Sequence, residues 1–271
     1  MNRDSDTALL ITSCDKYSDL WKPCITLFER NWPDCPLPIY LGTDFQTYPH
    51  GRVKSLPVGA GLPWAPSFRR QLEAVPEPNV IFLVADFFLR RPVNTELFRK
   101  CEHLFKELDA HYLRLSRPGP MNPMFETSLV GQIPVGAPYR ASCNPAIWKK
   151  STLLELIRDH ESIWQFEMAG SLRSSRYPNG FYCTWKDVLY FGQNVVEKGK
   201  WLPWEAKAFG AMDVGCDFSA RPIMSSTEAA KWLAVRGVGI ALAQLPWTAH
   251  WRIRKLLGRQ GHVRAVHREN G

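Results

Sequence analysis

The stretch Val80-Ile81-Phe82-Leu83-Val84-Ala85-Asp86-Phe87-Phe88-Leu89 decides how this chain is read. Val80 to Val84 is an apolar run without polar alternation. That pattern predicts a strand buried on both faces, as in a parallel sheet covered by helices. Asp86 closes the run, and a carboxylate in such a place is costly unless something pairs with it. An acid at the carboxyl end of a buried strand is therefore a candidate ligand-binding group.

Working outward, Ala8-Leu9-Leu10-Ile11-Thr12-Ser13-Cys14 is a second buried run, and Leu37-Pro38-Ile39-Tyr40-Leu41 a third, closed by Gly42-Thr43-Asp44. Between the strands, Leu20, Trp21, Cys24, Ile25 and Phe28 recur at helical spacing, and Ser67 to Val75 predicts a short helix. Asn94 is placed to cap a further helix whose apolar face carries Leu97, Phe98, Cys101, Leu104, Phe105 and Leu108, and Tyr112 to Leu115 reads as the next strand. Alternation of this kind predicts an α/β fold with a mostly parallel sheet and helices on both faces. After about residue 117 the pattern becomes irregular. Pro118 to Pro138 reads as a long loop over a site, Tyr139 to Trp148 as a strand, and Ser171 to Asn179 as a loop. Thr152 and Glu155 match a capping box that starts a helix, and Ser226 to Leu242 reads as helical. The expected organisation is one continuous domain in two halves, 1–117 and 118–271, the second ending in a basic tail.

Composition narrows the classes. The 271 residues are 45% hydrophobic and 22% charged, enough for a sizeable core, and the 11 Trp and 14 Phe are numerous enough to line clefts as well. The seven cysteines are scattered, with no CxxC pair, which argues against structural zinc and fits a reducing, cytoplasmic setting. The polar start Met1 to Asp6 does not read as a signal peptide, and no apolar run reaches the ~18 residues of a membrane span. Much of the +8 formal charge falls late, around Arg252, Arg254, Lys255, Arg259 and Arg268. A basic, Trp-bearing end suits an anionic membrane surface. No motif for nucleic-acid grooves or single strands occurs, so no nucleic-acid partner is expected.

In open α/β sheets ligands bind beyond the carboxyl ends of the strands. Thr12-Ser13 with Asp15, then Asp44, then Asp86 all fall at that edge. There is no GxGxxG or GxxxxGK[ST] loop, so dinucleotide and P-loop readings are weak.

Several short segments, taken in order, resemble the GT-A-fold glycosyltransferases, and more narrowly proteins of bacterial surface-polysaccharide clusters. They are Cys14-Asp15-Lys16-Tyr17-Ser18-Asp19-Leu20-Trp21, Asn31-Trp32-Pro33-Asp34-Cys35-Pro36, Ala85-Asp86-Phe87-Phe88-Leu89, Tyr139-Arg140-Ala141-Ser142, and Trp164-Gln165-Phe166-Glu167 with Gly170-Ser171. The resemblance spans roughly residues 8 to 205. It implies a nucleotide-sugar-binding first half and an acceptor-binding second half. It also implies a base pocket at Thr12 and Ser13, with Asp15 beside them, base or ribose contact from Asp44, a nucleotide wall at Trp64, and Asp86 facing the diphosphate or a Mg²⁺ or Mn²⁺ ion on it. His250 would be a further metal ligand. The family pattern has two adjacent acids where this chain has Ala85 and Asp86. With one acid missing, Arg69, Arg70 or Lys16 is expected to stabilise the leaving diphosphate.

Inverting sugar transfer needs a base for the acceptor hydroxyl. Glu167 is the candidate: it follows Trp164 and Phe166, whose apolar faces would raise its pKa. Glu161 is the alternative, and Asp187 a weaker candidate for acceptor binding. The resemblance implies transfer from a nucleotide-diphosphate sugar, UDP-linked by preference, to a lipopolysaccharide, O-antigen or capsule acceptor, free or lipid-linked. The competing expectation is a non-catalytic binder of a nucleotide sugar or glycan on a degenerate fold.

Overall fold

A computed structural model describes residues 5–243 apart from 117, 118, 120, 125, 126 and 193. The sequence element that decides the reading is β4, Asn79–Val84, and it stands in the middle of a nine-stranded sheet. The chain enters through β1 (Thr7–Thr12), a 3-10 turn (Asp15–Leu20), α1 (Trp21–Asn31), β2 (Ile39–Thr43), β3 (Val53–Pro57) and α2 (Trp64–Ala74) before reaching β4. It continues through α3 (Thr95–Glu107), β5 (Tyr112–Arg114), β6 (Asn122–Pro123), β7 (Val130–Gln132), β8 (Ala146–Lys149) and α4 (Lys150–Leu156). A helical run follows: α5 (Ile163–Gln165), a π-turn (Phe166–Gly170), α6 (Ser171–Arg173) and a 3-10 turn (Ser174–Arg176). The last elements are β9 (Phe181–Thr184), the small hairpin β10 (Val196–Glu197) and β11 (Lys200–Trp201), α7 (Pro203–Gly210) and α8 (Ser226–Ala243).

The sheet order is β3-β2-β1-β4-β8-β5-β9-β7-β6. The first four positions are parallel throughout, with β1 bonded to β2 on one side and to β4 on the other. β8 runs antiparallel to both β4 and β5, β5 and β9 are parallel, and β7 is antiparallel to β9. This is the mixed α/β sheet, mostly parallel and flanked by helices, that the alternation of β4 and its neighbours implied. β8 comes from the second half of the sequence yet lies between two strands of the first, so both halves share one sheet.

Both faces of the sheet are apolar, and the period of two divides the residues between them. Leu9, Ile11, Ile81 and Leu83 pack with Trp21, Cys24 and Phe28 of α1 and Phe98, Cys101 and Phe105 of α3. Ala8, Leu10, Val80 and Phe82 pack on the other face with Phe68 and Leu72 of α2 and Leu153 and Leu156 of α4. Each such large side chain, fully buried, contributes about 1.5–3 kcal/mol. Asn94 caps α3 as its position suggested, accepting from Leu97 N–H at 2.9 Å.

Several expectations for the second half need correction. Of the stretch from Tyr139 to Trp148, only the end from Ala146 is strand. Thr152 does not cap α4, which starts at Lys150 and buries the Thr152 side chain. The capping box belongs to Ser162 and Gln165, which start the helical run, and that run carries through to Arg176 where a loop was expected. β3 and β9 lie outside the expected strands because both are short, and the first alternates buried with exposed residues.

Candidate nucleotide and acceptor site

A cleft of about 330 Å³ opens at the carboxyl ends of β1 and β4. The chain runs from β1 outward through β2 to β3 and then returns to place β4 on the opposite side of β1. That reversal separates the flanking connections and leaves a crevice, the usual ligand position in open α/β sheets. Thr12, Ser13 and Cys14 supply one wall and Val84 and Ala85 another. Tyr17 comes from the 3-10 turn, Asp44 follows β2, Ile163 comes from α5, and α2 contributes Trp64, Ser67 and Gln71.

Four of the residues singled out in sequence thus meet here: Thr12, Ser13, Asp44 and Trp64. The Trp64 ring stacks on Phe68 with centroids 5.2 Å apart and meets Phe166 at 5.9 Å, which fixes it as a wall, and its Nε1–H has no hydrogen-bond partner. Asp15 is placed differently. Its carboxylate accepts from the backbone N–H groups of Asp44, Phe45 and Gln46, while Asp15 N–H donates to Asp44 Oδ2 at 3.1 Å. This reciprocal clamp joins the ends of β1 and β2 and orients Asp44 toward the cleft. Arg69 is not among the lining residues. Its guanidinium donates to Asp159 and to the carbonyls of Leu154 and Ile157, tying α2 to the end of α4. Arg70 donates to Val58 O, and the Lys16 side chain is exposed outside the cleft lining.

Gln71, which the sequence reading passed over, organises the floor. Its Nε2 donates to Ser13 O at 3.2 Å and to Ser67 Oγ at 3.3 Å, leaving Oε1 without a partner. A Cβ on Gly42 would lie 2.1 Å from this amide, so only glycine on β2 lets it lie there. The signal was present: Trp64, Ser67 and Gln71 recur at three- and four-residue spacing and so fall on one helical face.

Asp86 follows β4 directly. Ala85 lines the cleft, but Asp86 is not among the lining residues: it is 7% exposed, and its buried Oδ1 has no hydrogen-bond partner. Burial pushes the carboxyl up to about 7; its own backbone N–H opposes this, Glu197 adds to it and Arg221 counters it. Tyr17 connects this acid to the cleft. Burial raises the pKa of its phenol, and the Asp86 charge raises it further. Arg221 lies over the Tyr17 ring, 4.7 Å from its centroid, and forks onto both Asp19 oxygens at 2.7 and 2.6 Å. Among the described residues no group of three His, Cys, Asp or Glu could hold a metal ion. His250 lies outside the described residues.

Glu167 sits in the π-turn, four residues beyond the cleft residue Ile163. Its flanking rings go separate ways: Trp164 is 54% exposed, whereas Phe166 is buried against Trp64 and Trp148. The carboxylate accepts a hydrogen bond from Cys143 N–H at 2.8 Å. Arg114 lies near it. Burial opposes the Arg114 charge, but Tyr112, Cys183 and Glu167 together hold its pKa above the ordinary value. Glu161 is a different kind of residue, fully buried and bound through both oxygens to Arg173 at 2.8 and 2.6 Å. Asp187 is exposed, three residues beyond the end of β9. All seven cysteines are free and burial raises every thiol pKa, so none is poised as a nucleophile.

No protein-family model and no curated protein sequence matches this chain. Among solved structures, S. aureus TarS 1-349 in complex with UDP-GlcNAc aligns at 13% identity with a TM-score of 0.47, covering 94% of this chain and 72% of that one. Another TarS 1-349 structure aligns at 13% identity and TM-score 0.41, and this chain spans 57% of its length. A UDP-glucose pyrophosphorylase complexed with UDP-glucose aligns at 6% identity and TM-score 0.42, covering 69% of this chain and 91% of that one. Likeness at this level carries no functional weight; the site must be judged on its own residues.

Proposed function

We propose that this protein is a glycosyltransferase that takes a sugar from a nucleotide-diphosphate donor, UDP-linked by preference. One observation carries the reading. The reversal of strand order between β3 and β4 opens a cleft lined by Thr12, Ser13, Asp44 and Trp64, and an acid with an unpartnered oxygen closes β4. The aromatic wall and the paired hydroxyls suit a nucleoside, and the strand end suits its diphosphate. The acceptor is a bacterial surface glycan such as lipopolysaccharide, O-antigen or capsule, met on the side of the 163–176 helical run.

In this mechanism Glu167 removes the proton from the acceptor hydroxyl as that oxygen attacks the anomeric carbon, and the configuration inverts. The hydrogen bond from Cys143 N–H orients the carboxylate that takes the proton. Asp86, the acid that closes β4 with one oxygen unpartnered, is the residue that would hold a cation once its carboxyl is exposed to the cleft. Bound there, Mg²⁺ or Mn²⁺ would neutralise charge developing on the leaving diphosphate. Ala85 on the cleft wall, where the resembled pattern has a second acid, favours a second reading: a cytoplasmic protein that binds nucleotide sugar without turning it over.

A thermal-shift screen of nucleoside diphosphates, with Mn²⁺ and with chelator, tests the donor site. Ligand at a hundred times its Kd stabilises by about 2.7 kcal/mol. Absence of any shift across all bases ends the nucleotide reading. Shifts without donor hydrolysis or transfer, on a panel of nucleotide sugars, select the binder over the enzyme.

A further inference from the structure

A diphosphate in a cleft must be met by cations or by hydrogen-bond donors, and this cleft has few of either to spare. Among the described residues none of its lining side chains is Lys or Arg. Ser13 Oγ accepts from Trp21 Nε1–H at 2.8 Å. The Gln71 amide gives its N–H groups to Ser13 O and Ser67 Oγ. The backbone donors after β1 and β2 are spent on each other's carboxylates: Asp44, Phe45 and Gln46 N–H on Asp15, and Asp15 N–H on Asp44. Against this background one lining donor, the half-buried phenol of Tyr17, stands out by its place and by how firmly it is held.

Tyr17 belongs to the 3-10 turn that follows β1, and its phenol is close enough to the acid closing β4 to feel its charge. It therefore lies where the strand order reverses, the position at which open α/β sheets receive their ligands. Burial, with the Asp86 charge adding to it, raises the phenol pKa, so the hydroxyl keeps its proton and remains a donor at neutral pH. A buried arginine from the segment between α7 and α8 grips the whole turn. The Arg221 guanidinium lies 4.7 Å from the centre of the Tyr17 ring, forks onto Asp19 at 2.7 and 2.6 Å, and donates to Lys16 O at 3.3 Å. Residues 16, 17 and 19 are thus fixed by one side chain 200 positions away. A donor held this way before the ligand arrives loses little freedom on binding.

We infer that the Tyr17 phenol donates a hydrogen bond to a phosphate oxygen of the bound nucleoside diphosphate, and so tells it from the bare nucleoside. This rests on the nucleotide reading of the cleft. The test is isothermal titration of the full chain with UDP and with uridine, in chelator so that only groups of the protein meet the phosphates. Wild type should bind UDP about tenfold or more tighter than uridine, the worth of a hydrogen bond to a charged group. Tyr17→Phe keeps the ring under Arg221 and removes only the hydroxyl. It should lose about tenfold or more in UDP affinity while its uridine affinity and melting curve stay as in wild type. Wild-type affinities equal for UDP and uridine overturn the inference and leave the nucleoside site standing. UDP affinity unchanged in the variant overturns it too, and equal losses for UDP and uridine make Tyr17 a wall and not a phosphate donor. Wild type that binds neither ligand brings down the nucleotide reading itself, and this inference with it.

Discussion

Replacing Asp86 with Asn tests the central acid without changing its shape. The folded-state carboxyl is pushed from 3.8 up to about 7, chiefly by burial. A gap of about three pH units at ~1.36 kcal/mol each sets a ceiling of roughly 4 kcal/mol on the cost of ionising it in place. The sign follows from the direction of the shift. With the folded pKa above the unfolded one, the neutral acid is fully accommodated below pH about 4, and stability is lost as pH rises through about 7. Asn stays neutral throughout. Asp86→Asn should therefore match wild type in acid and exceed it increasingly between pH about 4 and 7, with a constant advantage above that. At roughly 2–4 °C per kcal/mol for a chain of this size, the plateau is readable as a melting shift. Urea unfolding of both proteins across that pH range measures the gap directly. Two curves that stay parallel from acid to neutral pH would show that Asp86 is not the strained, proton-holding group described here. Any cation or diphosphate-bound metal engaging the ionised form would displace a proton, so its affinity should rise as pH passes through about 7.

Three further outcomes are expected. Glu167→Gln should reduce turnover by about 10²–10⁴-fold with donor affinity nearly unchanged; equal losses in kcat and in donor Kd would make Glu167 structural. Glu161→Ala removes the buried carboxylate paired with Arg173, whose guanidinium keeps only the Leu156 carbonyl as acceptor among the described residues, and should cost about 3–5 kcal/mol in chemical unfolding while the remaining folded protein keeps its turnover; specific loss of turnover would reinstate Glu161 as the base. Gly42→Ala should evict the Gln71 amide, costing about 1–3 kcal/mol and abolishing the nucleotide-induced thermal shift. A shift of wild-type size in that variant would remove Gln71 from the cleft floor's architecture.

The local chemistry of the cleft explains why some residues could be named from sequence and others not. Thr12, Ser13 and Asp44 end apolar runs, and a run's end is a linear property of the chain. Trp64 came from the resemblance, and the fold places it on the cleft wall. Arg69 and Glu161 carry charges whose partners, Asp159 and Arg173, are set by how α2, α4 and the later helical run pack. Nothing in the order of residues distinguishes a cation tying two helices from one facing a ligand. Gln71 was silent for a related reason: its role depends on Ser13 O and on an absent side chain at Gly42, two strands' worth of sequence away.

By itself the sequence determined the α/β class, the parallel first half and the sheet edge where a site belongs, because hydrophobic period and strand ends are local consequences of burial. Only the tertiary structure decided that β8 crosses back between β4 and β5, that Asp15 clamps Asp44, and that the Asp86 oxygen is left without a partner. Those features are long-range pairings. Their energies depend on distances between residues far apart in the chain, which exist only once both faces of the sheet have been packed.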